Sequence, residues 1–232
     1  MATTLTQLHT NAAKILGLDS ETASSGDQVL VTFYANEAVR QVLIETKCRV
    51  TSQSLTPGAN ADYTLAASVL EIVDWTTTAS GDIYPLERAS VAEILRLRRA
   101  TATTGTPTRF YALAGHDTVM FYPTPAAADT FTTYYIPLPT EMTTGANDFS
   151  TNTYGGIPVS LYPCVENYVL WKCADADDDA SSEMGQRYRA LYREAIVNAR
   201  RHLSRRGGYR PAPARVNPRR RLLVPHSNSA DW

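Results

Sequence analysis

Long apolar runs are absent from this sequence of 232 residues. No stretch approaches the roughly 18 consecutive apolar residues that a membrane-spanning helix needs, so we expect no membrane partner. The start of the chain contains neither the basic stretch nor the apolar stretch of a signal peptide, and none is predicted. With 44% hydrophobic and 19% charged residues, the composition is typical of a globular chain that buries a substantial core.

Cysteine is also scarce, and the motifs of common catalytic sites are absent. Cys48, Cys164 and Cys173 cannot all pair and lack metal-ligand spacing, which predicts free thiols in a reducing compartment that pack as small apolar groups. GxSxG, HExxH and GxxxxGKS/T do not occur. His116 beside Asp117 is interpreted as a hairpin turn, because no recognisable nucleophile lies near it. The sequence therefore predicts no enzyme, no catalytic residue, no metal site and no cofactor.

The acidic turn at 175–179 resembles a calcium-binding loop in one respect. Asp175, Asp177 and Asp179 alternate as the first carboxylates of such a loop do. However, Ala180 stands where the loop needs glycine, and Gln186 stands where it needs a bidentate glutamate. We therefore interpret the turn as a solvated connection that caps the following helix.

Charge is distributed unevenly along the chain. Residues 187–232 contain twelve arginines and two acids, a net charge of +10, whereas residues 1–186 carry −11. Such asymmetry indicates a basic C-terminal segment with an anionic partner, which is either a protein or a nucleic acid.

The spacing of apolar residues predicts five helices and several short strands. Helices are expected over 4–16, 27–46, 88–99, 157–174 and 182–205, and strands over 48–55, 63–67 and 69–76, with 82–86 closing this region. Gly17 is expected to end the first helix. The inward faces of the second, third and fourth helices are expected to include Phe33, Leu95 and Val159 respectively.

The stretch 109–139 contains three further β-like runs, at 110–113, 119–122 and 130–136. A turn at 115–117 separates the first two, and prolines follow the second and third. We expect these runs to form a three-stranded antiparallel meander. Its tyrosines, Tyr111, Tyr122, Tyr134 and Tyr135, are interpreted as core or interface residues in preference to a nucleic-acid stacking platform.

Together the elements predict an α+β fold. The N-terminal helices and a C-terminal helical hairpin form its helical core, into which a small antiparallel β-domain is inserted, and an extended C-terminal tail follows. The expected division is 1–47 for the N-terminal helices, 48–139 for the β-rich insert with one helix, 140–206 for a loop and the hairpin, and 207–232 for the Arg/Pro-rich tail.

Three interpretations of the tail remain open: a strand that docks on another protein, a solvated end, and a nucleic-acid arm. An arm that binds only phosphates needs charge and not the apolar triplet Leu222–Val224. That triplet and Trp232 would supply anchors for a protein pocket, which favours docking.

The order of motifs resembles tailed-bacteriophage head-to-tail adaptor proteins, which are also called connector or head completion proteins. The similarity covers roughly residues 1–205. The residues that carry it are Tyr111 with Leu113, Tyr122-Pro123-Thr124-Pro125, Tyr134-Tyr135 with Pro137, and Ile157-Pro158.

The resemblance implies a structural protein of the virion, made in the host cytoplasm and placed at the head–tail junction. Such adaptors form a ring, commonly of twelve copies, beneath the portal protein, and a tail or neck protein binds below. A C-terminal segment clasps the portal, and genomic DNA crosses the channel of the ring without specific binding.

On this basis two sets of candidate residues are predicted. The portal-docking candidates are Arg215, Arg219, Arg220, Arg221, Leu222, Leu223, Val224 and Trp232. The subunit-interface candidates are Tyr188, Tyr192, Arg189, Arg193, Asp177 and Asp178. The alternative function is nucleic-acid binding through the arginine-rich tail; a virion-associated hydrolase is a third hypothesis, for which no catalytic acid can be singled out.

Overall fold

A computed structural model describes residues 4–17, 26–56, 62–65, 69–79, 82–100, 109–114, 118–126, 129–176 and 182–205. Helices and two small sheets alternate along these ranges, which confirms the predicted α+β class. Three predictions lie outside the described residues: the turn at 115–117, the candidates Asp177 and Asp178, and every portal-docking candidate in the tail.

The described ranges contain five helices, α1 (Leu5–Leu16), α2 (Gly26–Thr46), α3 (Val91–Ala100), α4 (Tyr162–Ala176) and α5 (Ser182–Arg205). Helix α1 begins and ends as predicted. The Thr4 side chain and the Gln7 side chain bond each other's backbone N–H groups in a capping box, and Gly17 ends the helix at a φ of 72°, where glycine is favoured.

Helices α1, α2, α4 and α5 form a bundle around one apolar core. The buried stripe of α2 recurs at helical spacing through Val31, Ala35, Ala38, Val42 and Thr46. It contacts α4 and α5, and α1 covers α2 and α4.

Eight strands lie in the part of the chain that the structure describes, and they form two four-stranded sheets. Their bounds are β1 (Thr51–Leu55), β2 (Asp62–Thr64), β3 (Val69–Ala79), β4 (Asp82–Pro85), β5 (Glu87–Arg88), β6 (Phe110–Ala114), β7 (Thr118–Tyr122) and β8 (Thr130–Pro137). The first sheet has the order β1–β8–β3–β4 and the second β2–β7–β6–β5. All pairs are antiparallel except β5 with β6.

The predicted meander is wrong in its third strand. Strands β6 and β7 pair as a hairpin, but β8 pairs with β1 and β3, and β2 takes the other edge of β7. The two sheets pack face to face around aromatic side chains: the Phe121 ring centroid lies 4.7 Å from that of Phe131 and 5.5 Å from that of Trp75. Placing β7 and β8 in different sheets lets both strands bury their aromatic residues in this shared core, which a single small sheet does not provide.

Each sheet also contacts a helical element. Ile136 of β8 is buried in the core of the bundle, so the first sheet joins the bundle directly. Helix α3 covers the second sheet, where Ile94 packs on Ala112 and Met120.

Three predicted inward residues face solvent instead. Phe33 is 63% exposed, Val159 61% and Leu95 41%. Helix α2 is apolar on nearly every side, so its spacing does not single out one buried face. The fourth helix begins later than predicted, because Val159–Leu161 form a 3₁₀ turn, and α3 begins later because Glu87–Arg88 pair with β6.

Candidate assembly interface

Helices α4 and α5 form the antiparallel hairpin that carries most of the interface candidates. Near the turn, Gly185 of α5 lies against Asp175 of α4, and a Cβ at this glycine would collide with Asp175 Oδ1. Further along, the ring centroids of Tyr168 and Tyr192 are 5.2 Å apart. The missing side chain at Gly185 therefore leaves room for the Asp175 carboxylate where the hairpin starts.

Tyr168, Trp171 and Tyr192 form an aromatic cluster between α4 and α5. Tyr168 meets Trp171 and Tyr192 edge to face, and the Trp171 and Tyr192 centroids are 6.0 Å apart. These are the separations at which aromatic rings attract each other beyond simple burial.

Two carboxylates of α2 tie this aromatic cluster to the rest of the bundle. Tyr168 Oη donates to Glu37 Oε1 at 2.6 Å, and Tyr192 Oη donates to Glu45 Oε1 at 2.8 Å. Burial raises the pKa of both phenols, and the hydrogen bond to each carboxylate raises it further. Both hydroxyls therefore keep their protons at neutral pH and hold three helices in register.

Cations surround the outer side of the aromatic cluster. Lys172 Nζ lies 5.0 Å and Arg189 Cζ lies 5.2 Å from the Trp171 ring centroid, within cation–π range. Arg200 Nε donates to the backbone oxygen of Glu45 at 2.7 Å, which satisfies a carbonyl near the end of α2.

The interface candidates on α5 fall into different environments. Arg189 and Arg193 are exposed, and Tyr188 is half-buried. Tyr192 is only 4% exposed and packs inside its own chain. The hairpin therefore leaves Arg189 and Arg193 exposed to solvent, while Tyr192 is buried beneath them.

A groove of about 680 Å³ runs along the hairpin on the side of α5 that faces the start of α4. Its apolar lining includes Leu161, Pro163, Cys164, Leu191, Ala195 and Ala199. Glu194, Arg201 and His202 form part of its polar rim.

The cysteines serve as packing side chains. All three are free, and Cys164 and Cys173 are buried, as predicted. Burial raises the pKa of Cys164 to about 11 and that of Cys173 to about 12, so both thiols are protonated near neutral pH. Among the described residues, no group of three or more His, Cys, Asp or Glu is placed to hold a metal ion.

Sequence reasoning missed the roles of Glu37, Glu45 and Trp171. The available signal was the presence of Glu37 and Glu45 in a helix whose other side chains form much of the core, in a chain with a Tyr-rich hairpin. A carboxylate in such a setting needs a hydrogen-bond donor, and a tyrosine hydroxyl supplies one.

These observations define an α+β protein whose aromatic and charged groups are arranged as packing surfaces. In the ranges that the structure describes, no helix is both long and apolar enough to cross a membrane. The model of the SU10 adaptor protein family matches residues 3–218. The chain therefore belongs to this family, which confirms the resemblance to tailed-phage head-to-tail adaptors and gives it a structural connector role.

Two other comparisons were made. A chain in the solved structure "Neck of empty GTA particle computed with C6 symmetry" is similar at 13% identity, over 81% of this chain and 92% of that chain, with a TM-score of 0.28. No curated protein matches the chain.

Proposed function

We propose that this protein binds beneath the portal of a tailed phage and links it to the tail or neck component below. It is made in the host cytoplasm and acts at the head–tail junction of the virion. The observation that carries the proposal is the family match over nearly the whole chain. The separation of charge supports it, because a basic segment following an acidic body suits an assembly protein with an anionic partner.

The tail supplies the portal contact in this proposal. Its basic candidates are Arg215, Arg219, Arg220 and Arg221, which would pair with acidic portal groups. Leu222, Leu223, Val224 and Trp232 are the apolar anchors that fill pockets on the portal surface.

The α4–α5 hairpin contributes to the contact between neighbouring copies. Arg189 and Arg193 are exposed on α5 and Tyr188 lies between them and the core, so they are available to a neighbour. We propose a closed head-to-tail ring of twelve copies, to which Asp177 and Asp178 add acidic groups.

The ring would prolong the channel through which the genomic DNA passes. An acidic body with a net charge of −11 over residues 1–186 repels phosphates, so the DNA moves through without specific binding. The proposed role needs no catalysis and no cofactor. We also propose that the chain is divided at 1–47, 48–139, 140–206 and 207–232, with 48–139 as the β-rich insert.

The alternative is a nucleic-acid-binding protein. The twelve arginines after residue 186 favour it, because phosphate binding needs clustered positive charge. Such binding would weaken steeply with salt and would not change when Leu222, Leu223 and Val224 are replaced by serine.

Co-sedimentation with the purified portal tests the two functions against each other. We compare the full-length chain, a chain that ends at Arg206, and the Leu222→Ser/Leu223→Ser/Val224→Ser variant. The adaptor function predicts that only the full-length chain sediments with the portal. If neither the full-length chain nor its variants bind the portal, and the full-length chain binds DNA instead, the proposal is wrong and the alternative holds.

A further inference from the structure

A cavity lies where the end of α5 meets the end of α2. Its volume is about 550 Å³, within the range of cavities that hold a ligand. Ile44 and Leu203 form apolar parts of its wall, and Lys47, Arg200 and Arg201 bring cations to it. We call it the α2–α5 end cavity.

The cavity lies beside the point where the chain leaves α5. Two of its lining residues, Leu203 and Ser204, immediately precede Arg205, the last described residue of the helix. The sequence continues with Arg206-Gly207-Gly208-Tyr209, so Tyr209 is the first residue after α5 with a large apolar side chain. The four residues from Arg205 to Tyr209 span at most about 14 Å, which tethers Tyr209 within reach of the cavity.

The two glycines indicate how the chain turns after the helix. Helices commonly end at a glycine in the left-handed conformation, and the residue after it packs on a side chain of the last helical turn. With Gly208 in that position, the packing partner of Tyr209 is Leu203, on the cavity wall. With Gly207 there, the packing residue would be Gly208, which has no side chain. Helix α1 ends in this conformation at Gly17, whose φ is 72°.

The lining of the cavity suits a tyrosine ring. The apolar body of the ring can lie between Ile44 and Leu203, with the cationic side chains of the lining near its face. The same chemistry occurs elsewhere in this bundle, where Lys172 and Arg189 lie 5.0 and 5.2 Å from the Trp171 ring centroid.

The end of α2 also supplies acceptors for a tyrosine hydroxyl. A helix leaves its last four carbonyls without partners inside the helix. Here the Lys47 N–H donates to the Leu43 oxygen at 2.9 Å, and Arg200 Nε donates to the Glu45 oxygen at 2.7 Å. Ile44 and Thr46 carry the other two carbonyls and both line the cavity, so a hydroxyl that enters has acceptors within the same turn.

We propose that Tyr209 docks in the α2–α5 end cavity of its own copy. We call this contact the tail latch. It fixes the point from which residues 210–232 leave the body, at the end of α2. The latch itself does not depend on the portal, whereas its use in portal binding rests on the proposed function. A fixed root shortens the free part of the tail and so raises the effective concentration of its anchors at a bound portal.

Photo-crosslinking of the full-length protein tests the tail latch. Tyr209 is replaced by p-benzoylphenylalanine, and equal amounts of ¹⁵N-labelled and unlabelled protein are mixed before irradiation. The proposal predicts crosslinks from position 209 to residues 44–47, found by mass spectrometry within one copy. The control is p-benzoylphenylalanine at Val224, which should give no crosslink to residues 44–47.

Other crosslinking results would overturn the latch. These are crosslinks confined to residues 200–206, which the tether alone would give, crosslinks that join labelled and unlabelled copies, and no crosslink to 44–47. Co-sedimentation with the portal is scored separately on the unmodified protein. Portal binding without the crosslink would therefore reject the latch alone, and the crosslink without portal binding would reject the proposed function alone.

A matched pair of glycine substitutions tests the turn. The proposed helix end bonds the amide of Tyr209 to the last turn of α5, so hydrogen exchange of this amide should be slow. Gly208→Ala should lower its protection about tenfold, because an L-residue is strained in the left-handed conformation. Gly207→Ala is the control and should leave the protection unchanged. Equal effects of the two substitutions would contradict the latch, and so would an unprotected amide in the original chain.

Discussion

The helical bundle and the paired sheets differ in the hydrogen bonding of their buried polar groups. In the bundle, Tyr168 and Tyr192 donate to carboxylates, and the buried Thr46 hydroxyl donates to the Val42 oxygen at 2.6 Å. Between the sheets, Trp75 Nε1 and the Thr133 hydroxyl are buried without a hydrogen-bond partner among the described residues.

This difference shows that the two regions are stabilised in different ways. The bundle combines apolar burial with directed hydrogen bonds that fix α2 against the hairpin. The core between the sheets combines aromatic and aliphatic burial with buried polar atoms that are unpaired, and each unpaired polar atom costs about 1–3 kcal/mol. Removing a hydroxyl should therefore have opposite signs in the two regions.

The largest expected effect is that of Trp75→Ala in the core between the sheets. Trp75 is fully buried and contacts Tyr111 and Phe121, so we expect a loss of about 3–5 kcal/mol in the free energy of unfolding. Urea denaturation measures the loss, and hydrogen exchange locates it. Amides of the sheets should exchange faster while those of α4 and α5 stay protected. Equal loss of protection in the bundle would contradict the proposed division of the chain.

Tyr192→Phe should have the next largest effect. It removes the hydrogen bond to Glu45, and we expect a loss of about 1.5 kcal/mol, because Gln41 and Arg200 still bind that carboxylate. Tyr188→Phe is the matched control on the same helix, since Tyr188 is half-buried, and it should cost less than about 0.5 kcal/mol. Chemical denaturation of the two variants in parallel measures the loss in the free energy of unfolding. An equal loss in both would contradict the stabilising role of the hydrogen bond from Tyr192 to Glu45.

Thr133→Val should instead stabilise the protein by about 0.5–1 kcal/mol. The hydroxyl is buried without a partner, and a methyl group of similar shape removes its desolvation cost. Thr132→Val is the control, because Thr132 is only half-buried on the same strand. The measurement is the thermal midpoint and the free energy of unfolding. A clear loss of stability in Thr133→Val would mean that its hydroxyl is paired.

The last effect is absent at pH 7 and appears only in alkaline solution. Burial raises the pKa of Cys164 from 9.0 to about 11 in the folded chain. The unfolded thiol therefore loses its proton first, and the stability linked to this group is present below pH 9 and is lost as the pH rises toward 11. Denaturation at successive pH values should show this decline, and Cys164→Ala should flatten it. If Cys164→Ala leaves the slope of stability against pH unchanged, the decline is not due to the Cys164 thiol.

The sequence predicted the helices well where local signals were strong. Helix α1 starts at the capping pair Thr4 and Gln7 and ends at Gly17, as capping chemistry requires. Helix α5 spans its predicted 182–205. The exposed side of α2 could not be predicted, because the helix carries apolar side chains on several of its faces. Which of them are buried depends on the positions of α1, α4 and α5. Phe33 therefore looked like a core residue until its neighbours were known.

Strand pairing was the harder problem. Only three residues separate β6 from β7 in the sequence, so their pairing follows from local sequence. The partners of β8 are distant: β1 begins at Thr51 and β3 at Val69. No local signal specifies such pairs, which arise because Trp75, Phe121 and Phe131 are buried best between two sheets. The contacts of Glu37 and Glu45 with the tyrosines are equally remote in sequence.

Electron cryo-microscopy of the full-length protein bound to its portal tests the central claim most directly. The account predicts a ring beneath the portal, with the bundles of neighbouring copies in contact and residues 219–224 on portal subunits. Rings joined through the sheets would contradict the role given to the bundle. A bare portal in a sample where the protein coats DNA would contradict the adaptor function itself.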